Sequence, residues 1–100
     1  MLIVAGYVYV DPAVLARFIS DLQVLALTAR QRAGNIRYDV AVENPQQGRL
    51  LVSDYWTDQL ALTAHLDADD TVAFIRRWRG RMQSNVRKFD ASNERELMDD

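Results

Sequence analysis

Apolar residues along the chain switch between two spacings, and each switch marks a new element. Leu2 to Val10 (LIVAGYVYV) carries no charge and is rich in β-branched and aromatic side chains, which predicts a strand. Asp11-Pro12 follows at once as a helix N-cap and first-turn pair. From Pro12 to about Ala33 the apolar positions Leu15, Phe18, Ile19, Leu22, Leu25, Ala26 and Ala29 repeat at helical spacing, and Gly34 is the expected C-cap. Ile36 to Glu43 then alternates, with Ile36, Tyr38, Val40 and Val42 on one face and Arg37, Asp39, Ala41 and Glu43 on the other, the signature of a half-buried strand. Asn44-Pro45-Gln46-Gln47-Gly48 is a turn, and Arg49 to Trp56 returns as the second arm of a hairpin. Thr57 is expected to cap a short helix through Leu66, with Asp58 close to its positive end. Asp67-Ala68-Asp69-Asp70 breaks that helix, and Val72, Ala73, Phe74, Ile75 and Trp78 predict another that fades near Gly80. A last strand is expected at about Asn85 to Ala91.

The order βαββαβ is the split βαβ, or ferredoxin-like, arrangement of the α+β class: one four-stranded antiparallel sheet with helices on one face. Residues 1–91 form that domain, and residues 92–100 are a polar tail. The first strand adds a constraint. Leu2, Val4, Val8 and Val10 point one way and Ile3, Ala5, Tyr7 and Tyr9 the other, yet helices cover only one face. A homodimer joined sheet to sheet accounts for the second apolar face.

Composition narrows the function classes. One hundred residues suit a single domain that buries about 65% of the surface its unfolded chain exposes. With 26% charged residues and a net charge of -2, the chain has neither a polybasic nucleic-acid surface nor an acidic disordered character. The absence of cysteine removes disulfides, thiolate nucleophiles and iron–sulfur clusters. Leu2 to Val10 is far shorter than the roughly 20 residues of a membrane helix, so no membrane partner is expected and a cytoplasmic location is the default. The cations Arg76, Arg77, Arg79, Arg81, Arg87 and Lys88 read as a solvated face near a helix end, and Gly48 to Trp56 lacks the aromatic pattern of RNA-recognition strands.

Candidate chemistry gathers between Leu50 and Leu66, where aromatic, titratable and strand-end residues meet. A pocket is expected there. The chain has no GxGxxG, P-loop, GxSxG or HExxH motif. A metal site built from His65, Asp69 and Asp70 is outweighed by a simple charged cap at a helix junction. His65, the single histidine, has the side chain suited to proton transfer near neutrality; it either faces the sheet beside Ala61 and Leu62 or is a hydrogen-bonded histidine at a helix end. Trp56 either walls a cavity or belongs to the core, and Tyr7, Tyr38 and Tyr55 supply phenols that also suit packing.

Four pieces carry a family resemblance: Met1 to Tyr9 (MLIVAGYVY), Ala33 to Val42 (AGNIRYDVAV), Leu51 to Leu66 (LVSDYWTDQLALTAHL) and Ala73-Phe74. In order and spacing the chain resembles the antibiotic biosynthesis monooxygenase domain family across about Met1 to Phe89, with a quinol monooxygenase-like character. The resemblance implies a ferredoxin-like homodimer with a pocket between sheet and helices, oxidising a quinol-like or polyphenolic aromatic with O2 and without flavin, metal or other cofactor. It implies Trp56 as pocket wall and His65 as base or hydrogen-bond partner in catalysis. Tyr55, Tyr38 and Tyr7, with Val52 and Leu62, are the implied substrate contacts. Such chemistry needs only that the protein bind, deprotonate and desolvate an electron-rich ring.

Departures from the family pattern open an alternative. Polyketide-oxidising members have an Asn four positions before the Trp and a Tyr six after it, where this chain has Val52 and Leu62. Many members also have a histidine where Asp70 stands. Haem-degrading relatives use a first-strand Asn and a later histidine; here Gly6 or Tyr7 stands near the first position and no histidine follows His65, which disfavours haem degradation. A non-catalytic dimer that binds a small aromatic ligand, or acts in a stress response, is the competing class.

Overall fold

In the computed structural model, which describes residues 1–99, the chain runs β1 (Leu2–Val10), α1 (Leu15–Ala29), β2 (Asn35–Asn44), β3 (Arg49–Trp56), α2 (Gln59–Asp67), α3 (Asp69–Trp78) and β4 (Met82–Asp90). The strands form one antiparallel sheet in the order β2-β3-β1-β4. This is the α+β, ferredoxin-like arrangement. Strand parity assigns the faces: Leu2, Val8 and Val10 of β1 are buried beneath the helices with Leu50 and Trp56 of β3, which pair with Val8 and Leu2. Ile3, Ala5, Tyr7 and Tyr9 occupy the opposite face with Leu51, Tyr55 and Phe89. No element among the described residues covers that face, where Tyr7, Leu51 and Phe89 are exposed.

Two apolar clusters make the core. One joins Phe18, Leu22 and Leu25 of α1 to Val8, Val10, Leu50 and Trp78. The other joins Ala26 and Ala29 of α1 to Leu2, Tyr38, Trp56 and Leu62. Burial of each large apolar side chain stabilises the fold by about 1.5–3 kcal/mol. Phe18 meets the Trp78 ring edge-on with centroids 5.0 Å apart, and the Trp78 indole N–H donates to Asp21 Oδ2 at 3.0 Å, so the buried indole is satisfied. Pro12–Ala29 is long and apolar enough by composition to cross a membrane, but its apolar stripe of Phe18, Leu22, Leu25, Ala26 and Ala29 packs on the sheet.

Several boundaries differ from the sequence reading. The helix expected from Pro12 opens as a 3-10 turn, Pro12–Val14, in which Asp11 Oδ1 accepts from the Ala13 N–H at 2.9 Å. It ends at Ala29 rather than Ala33, because Arg30-Gln31-Arg32-Ala33 offers the sheet no apolar stripe and closes in tight turns instead. Gly34 is therefore not the helix C-cap. It has φ +84°, and a Cβ there would lie 2.4 Å from Ala61 Cβ, so glycine lets the 30–34 turn press against α2. Ile36 leaves the expected apolar face because a bulge between Asn35 and Arg37 shifts the register, and it is 51% exposed.

Asp58, not Thr57, caps α2 by accepting from the Ala61 N–H at 2.9 Å. The final strand starts at Met82 rather than Asn85. Its first residues lack apolar alternation, yet their backbone pairs with Val10, Tyr9 and Val8 along the edge. Past Asp90 the tail has no regular structure apart from a turn; the Ala91 N–H donates to Met1 O at 2.9 Å, and Leu97 and Met98 are exposed. Asp100, the last residue of the expected tail, lies outside the described residues.

Candidate active site

Where the two core clusters meet, sheet and helices enclose an open cavity of about 310 Å³. Its floor is the helix-facing side of the sheet, including Val4, Val52, Asp54 and Tyr38, and its walls come from Leu22 and Leu25 of α1, Leu62 and His65 of α2, and Thr71 and Phe74 of α3. The exposed residues Leu66, Arg87 and Lys88 mark the opening. Most of the wall is apolar. Asp54, Tyr38 and His65 stand close to one another as polar exceptions, since Tyr38 pairs with Asp54 across β2 and β3 and its ring meets the His65 edge at 5.6 Å.

His65 arrives on the last turn of α2 and is 4% exposed. Its imidazole stacks on the Trp56 indole, with centroids 4.8 Å apart and planes inclined by 29°. Arg32, from the turn after α1, places Nη1 2.6 Å from His65 Nδ1 and 3.3 Å from Thr71 Oγ1, and pairs through Nη2 with Asp70 Oδ1. Asp70 also accepts from Thr28 Oγ1 at 2.6 Å and from the Thr71 N–H at 2.9 Å. This network ties α1, its following turn, α2 and α3 together behind the cavity.

The network fixes the histidine chemistry. A guanidinium only donates, so His65 Nδ1 must accept and the ring hydrogen sits on Nε2. Burial, reinforced by the Arg32 charge, lowers the His65 pKa to about 4, so the ring is neutral at physiological pH. It offers the cavity an N–H rather than a basic nitrogen.

Asp54 behaves in the opposite sense. It is 4% exposed, and its Oδ2 accepts from the Trp56 indole N–H at 2.7 Å. Burial raises its pKa to about 6 although the indole bond opposes the shift. Burial also raises the Tyr38 pKa, and the neighbouring Asp54 charge adds to that effect, so the phenol stays neutral. Asp70, exposed enough to be stabilised as an ion, is held below the ordinary carboxylate range by Thr28 and Arg32.

The sequence-predicted residues divide by face. His65, Tyr38, Val52 and Leu62 line the cavity. Trp56 does not: it is wholly buried behind His65 and acts on the cavity through its neighbours. Tyr7 and Tyr55 stand on the other side of the sheet, because their positions alternate with those of Val8 and Asp54; Arg49 and Arg37 cover their rings at 5.2 and 5.3 Å. Sequence reasoning missed Asp54 and Arg32. The signal for Asp54 was a carboxylate in phase with Leu50 and Trp56 on a half-buried strand, whereas Arg32 carries no local signal.

No group of three or more metal-ligating side chains gathers among the described residues. Three basic residues of the 76–88 segment take separate partners: Arg77 pairs with Asp21 at 3.0 Å, Arg81 lies over Trp78, and Lys88 donates to Gln59 at 2.7 Å. A second groove of about 300 Å³ runs between α1 and α3, but its polar residues are occupied by the Thr28–Asp70 and Arg77–Asp21 contacts.

Comparison with known proteins agrees with this architecture. A Deinococcus radiodurans protein provisionally described as an antibiotic biosynthesis monooxygenase is 21% identical and superposes with a TM-score of 0.87, over 99% of this chain and 100% of that one. A Bacteroides thetaiotaomicron protein of unknown function, described as a possible oxidoreductase, is 16% identical with a TM-score of 0.80, over 88% and 94% of the two chains. A Nitrosomonas europaea protein with the same provisional description as the first is 14% identical with a TM-score of 0.76, over 89% and 94%. At these identities the structures share the fold. No curated protein matches the chain. Residues 1–77 match the family described as antibiotic biosynthesis monooxygenase, and the chain belongs to that family.

Proposed function

We propose that this protein is a cofactor-independent monooxygenase that oxidises a quinol-like or polyphenolic aromatic with O2. The observation that carries this reading is the largely apolar cavity of about 310 Å³ with His65, Tyr38 and Asp54 grouped on its wall. Apolar walls suit an aromatic ring, and a few convergent polar groups suit its oxygens. For a quinol with a free ring position the reaction balances as quinol plus O2 giving hydroxyquinone plus water. One oxygen atom enters the ring, the other leaves as water, and the substrate supplies the electrons.

In this reading the His65 N–H donates to a substrate oxygen and stabilises negative charge as the ring ionises, in an enclosure where such a bond is stronger than in water. Tyr38 orients the ring. Trp56 sets the position of His65 and Asp54 without touching substrate. The working unit is a homodimer closed over the second sheet face, a reading supported by the exposed Tyr7, Leu51 and Phe89 there.

A second reading rests on Val52 and Leu62, both on the cavity wall and neither able to hydrogen-bond through its side chain. It is a dimer that binds a small aromatic ligand without turnover. Oxygen uptake with menadiol separates the two. The monooxygenase reading expects uptake above the enzyme-free rate and one labelled atom from isotopic O2 in the product, with both reduced in His65→Ala and Trp56→Phe. Uptake equal to background leaves the binding reading, and variants that match wild type remove the assigned roles.

A further inference from the structure

We propose that Asp54 is the catalytic base of the cavity, accepting the hydroxyl hydrogen of a bound phenol or quinol and removing that proton as the ring reacts with O2. This rests on the monooxygenase reading and names a catalytic group for it. The argument begins with placement. Asp54 stands on β3 between Val52 and Trp56 on the helix-facing side, a phase that otherwise carries apolar residues, and it lines the cavity. No cation pairs with it among the described residues. A carboxylate buried without a cation weakens a fold, so packing alone does not account for it.

What holds the carboxylate leaves it available. The Trp56 indole N–H binds Oδ2 from behind, which orients the group while leaving Oδ1 for a ligand. His65 is barred from the same task because Arg32 occupies Nδ1 and forces Nε2 to carry hydrogen. The two residues are thus complementary: Asp54 takes the hydrogen from one hydroxyl, and the His65 N–H donates to the oxygen on which charge accumulates. Burial lifts Asp54 to a pKa of about 6, which keeps it ionised near neutrality and makes it a stronger base than an exposed carboxylate.

The step conserves atoms and charge. The substrate O–H bond breaks, its proton passes to the Asp54 carboxylate, and the bonding pair stays on the substrate oxygen. The resulting phenolate supplies electrons to O2, and the proton departs with the water that forms. Other polar or charged groups facing this space are Tyr38 from β2, His65 from α2, Thr71 from α3, and Lys88 with Ser84 from β4, while Arg87 stands at the rim; α1 contributes only apolar side chains. His65 titrates near 4 and Tyr38 is pushed above its ordinary range, so an inflection near pH 6 belongs to Asp54.

The test is Asp54→Asn, which keeps an acceptor for the indole and removes the base. With menadiol the variant is expected to lose about a hundredfold or more in kcat with little change in KM. Wild-type kcat/KM rises through pH 6, and that inflection disappears in the variant. A variant with the wild-type rate and inflection overturns the proposal. If wild type does not turn over menadiol, the monooxygenase reading falls with its base step, and binding of 1-naphthol then reads Asp54 as the hydroxyl acceptor. Its affinity should increase as pH rises through 6 in wild type but not in Asp54→Asn, while 1-methoxynaphthalene shows no such rise. Flat 1-naphthol binding in wild type overturns the acceptor role too, and this arm needs no folded variant.

Discussion

The Trp56 indole supports both polar groups of the cavity: His65 stacks on its face at 4.8 Å while its N–H donates to Asp54 at 2.7 Å. One buried ring therefore positions a hydrogen-bond donor and moderates the basicity that burial gives a carboxylate. Trp56→Phe keeps an aromatic face for His65 and deletes the bond that lowers the Asp54 pKa. The Asp54 pKa is then expected to rise above about 6. Carbon NMR of the labelled Asp54 carboxyl measures this directly; an unchanged or lower value would contradict the role given to the indole.

The same two residues make opposite contributions to the dependence of stability on pH. Asp54 rises from 3.8 to about 6 on folding, so its contribution is present below 3.8 and lost as pH climbs through 6. His65 falls from 6.5 to about 4, so its contribution is present above 6.5 and lost as pH drops through 4. Between pH 4 and 6 the two slopes largely cancel. Asp54→Asn removes one of them, so its stability relative to wild type should improve by up to about 3 kcal/mol between pH 4 and pH 7. His65→Gln should show the reverse trend, losing relative stability by up to about 3 kcal/mol from pH 4 to pH 7. Urea midpoints at constant m, taken across that range, measure both.

Arg32 imposes the histidine tautomer from a turn that has no regular structure. Replacing it with Met removes the donor at Nδ1 and the charge that helps depress the His65 pKa. Proton and nitrogen NMR of the variant should show the pKa moving up from about 4 and hydrogen shared between Nδ1 and Nε2. A ring that keeps its low pKa and stays wholly protonated at Nε2 would mean that burial and stacking alone dictate its state.

How much of this was legible in the sequence depends on how local each cause is. The charge-free run of β1 and the 3.6-residue repeat of Phe18, Leu22, Leu25 and Ala29 are local patterns, and they yielded the element order and the sheet. Alternation along Ile36 to Glu43 puts Tyr38 on the apolar face, whereas Val52, Leu62 and His65 were expected at the cavity from the family resemblance; all four line it. Tyr7 and Tyr55 were grouped with them by chemistry rather than by parity, and parity puts them across the sheet. Ile36 is exposed despite its place in the alternation because it falls at a bulge, where pairing with β3 shifts register between Asn35 and Arg37. Arg32 reaches residues 33 and 38 positions away, a contact that no local pattern encodes.

Gly34 links fold and site through that same turn. A Cβ at position 34 meets Ala61 Cβ at 2.4 Å and Thr57 Oγ1 at 2.8 Å, on a backbone whose φ of +84° L residues rarely adopt. Gly34→Ala should cost about 2–4 kcal/mol from backbone strain and overpacking together. Because the turn also carries Arg32, the histidine resonances should shift in the same variant even at temperatures where it stays folded. Gly80→Ala, where an added Cβ meets nothing within 4 Å, is the matched control and should show neither effect.

The open sheet face supplies the last test. Leu51 lies near its centre on β3, opposite Tyr7 and 43% exposed, with Phe89 exposed on the far edge strand. If a second copy closes over this face, Leu51→Glu sets a carboxylate and its symmetry mate into an apolar contact, where desolvation and like-charge repulsion both oppose association. The substitution does not disturb the core, since position 51 points away from the helices. Light scattering during size-exclusion chromatography should then report a dimer for wild type and a folded monomer for the variant. The cavity lies on the opposite face, so 1-naphthol should still bind to that monomer. A wild-type monomer, or a variant that stays dimeric, would show that this face is not the contact surface, and the exposure of Tyr7, Leu51 and Phe89 would need a different partner.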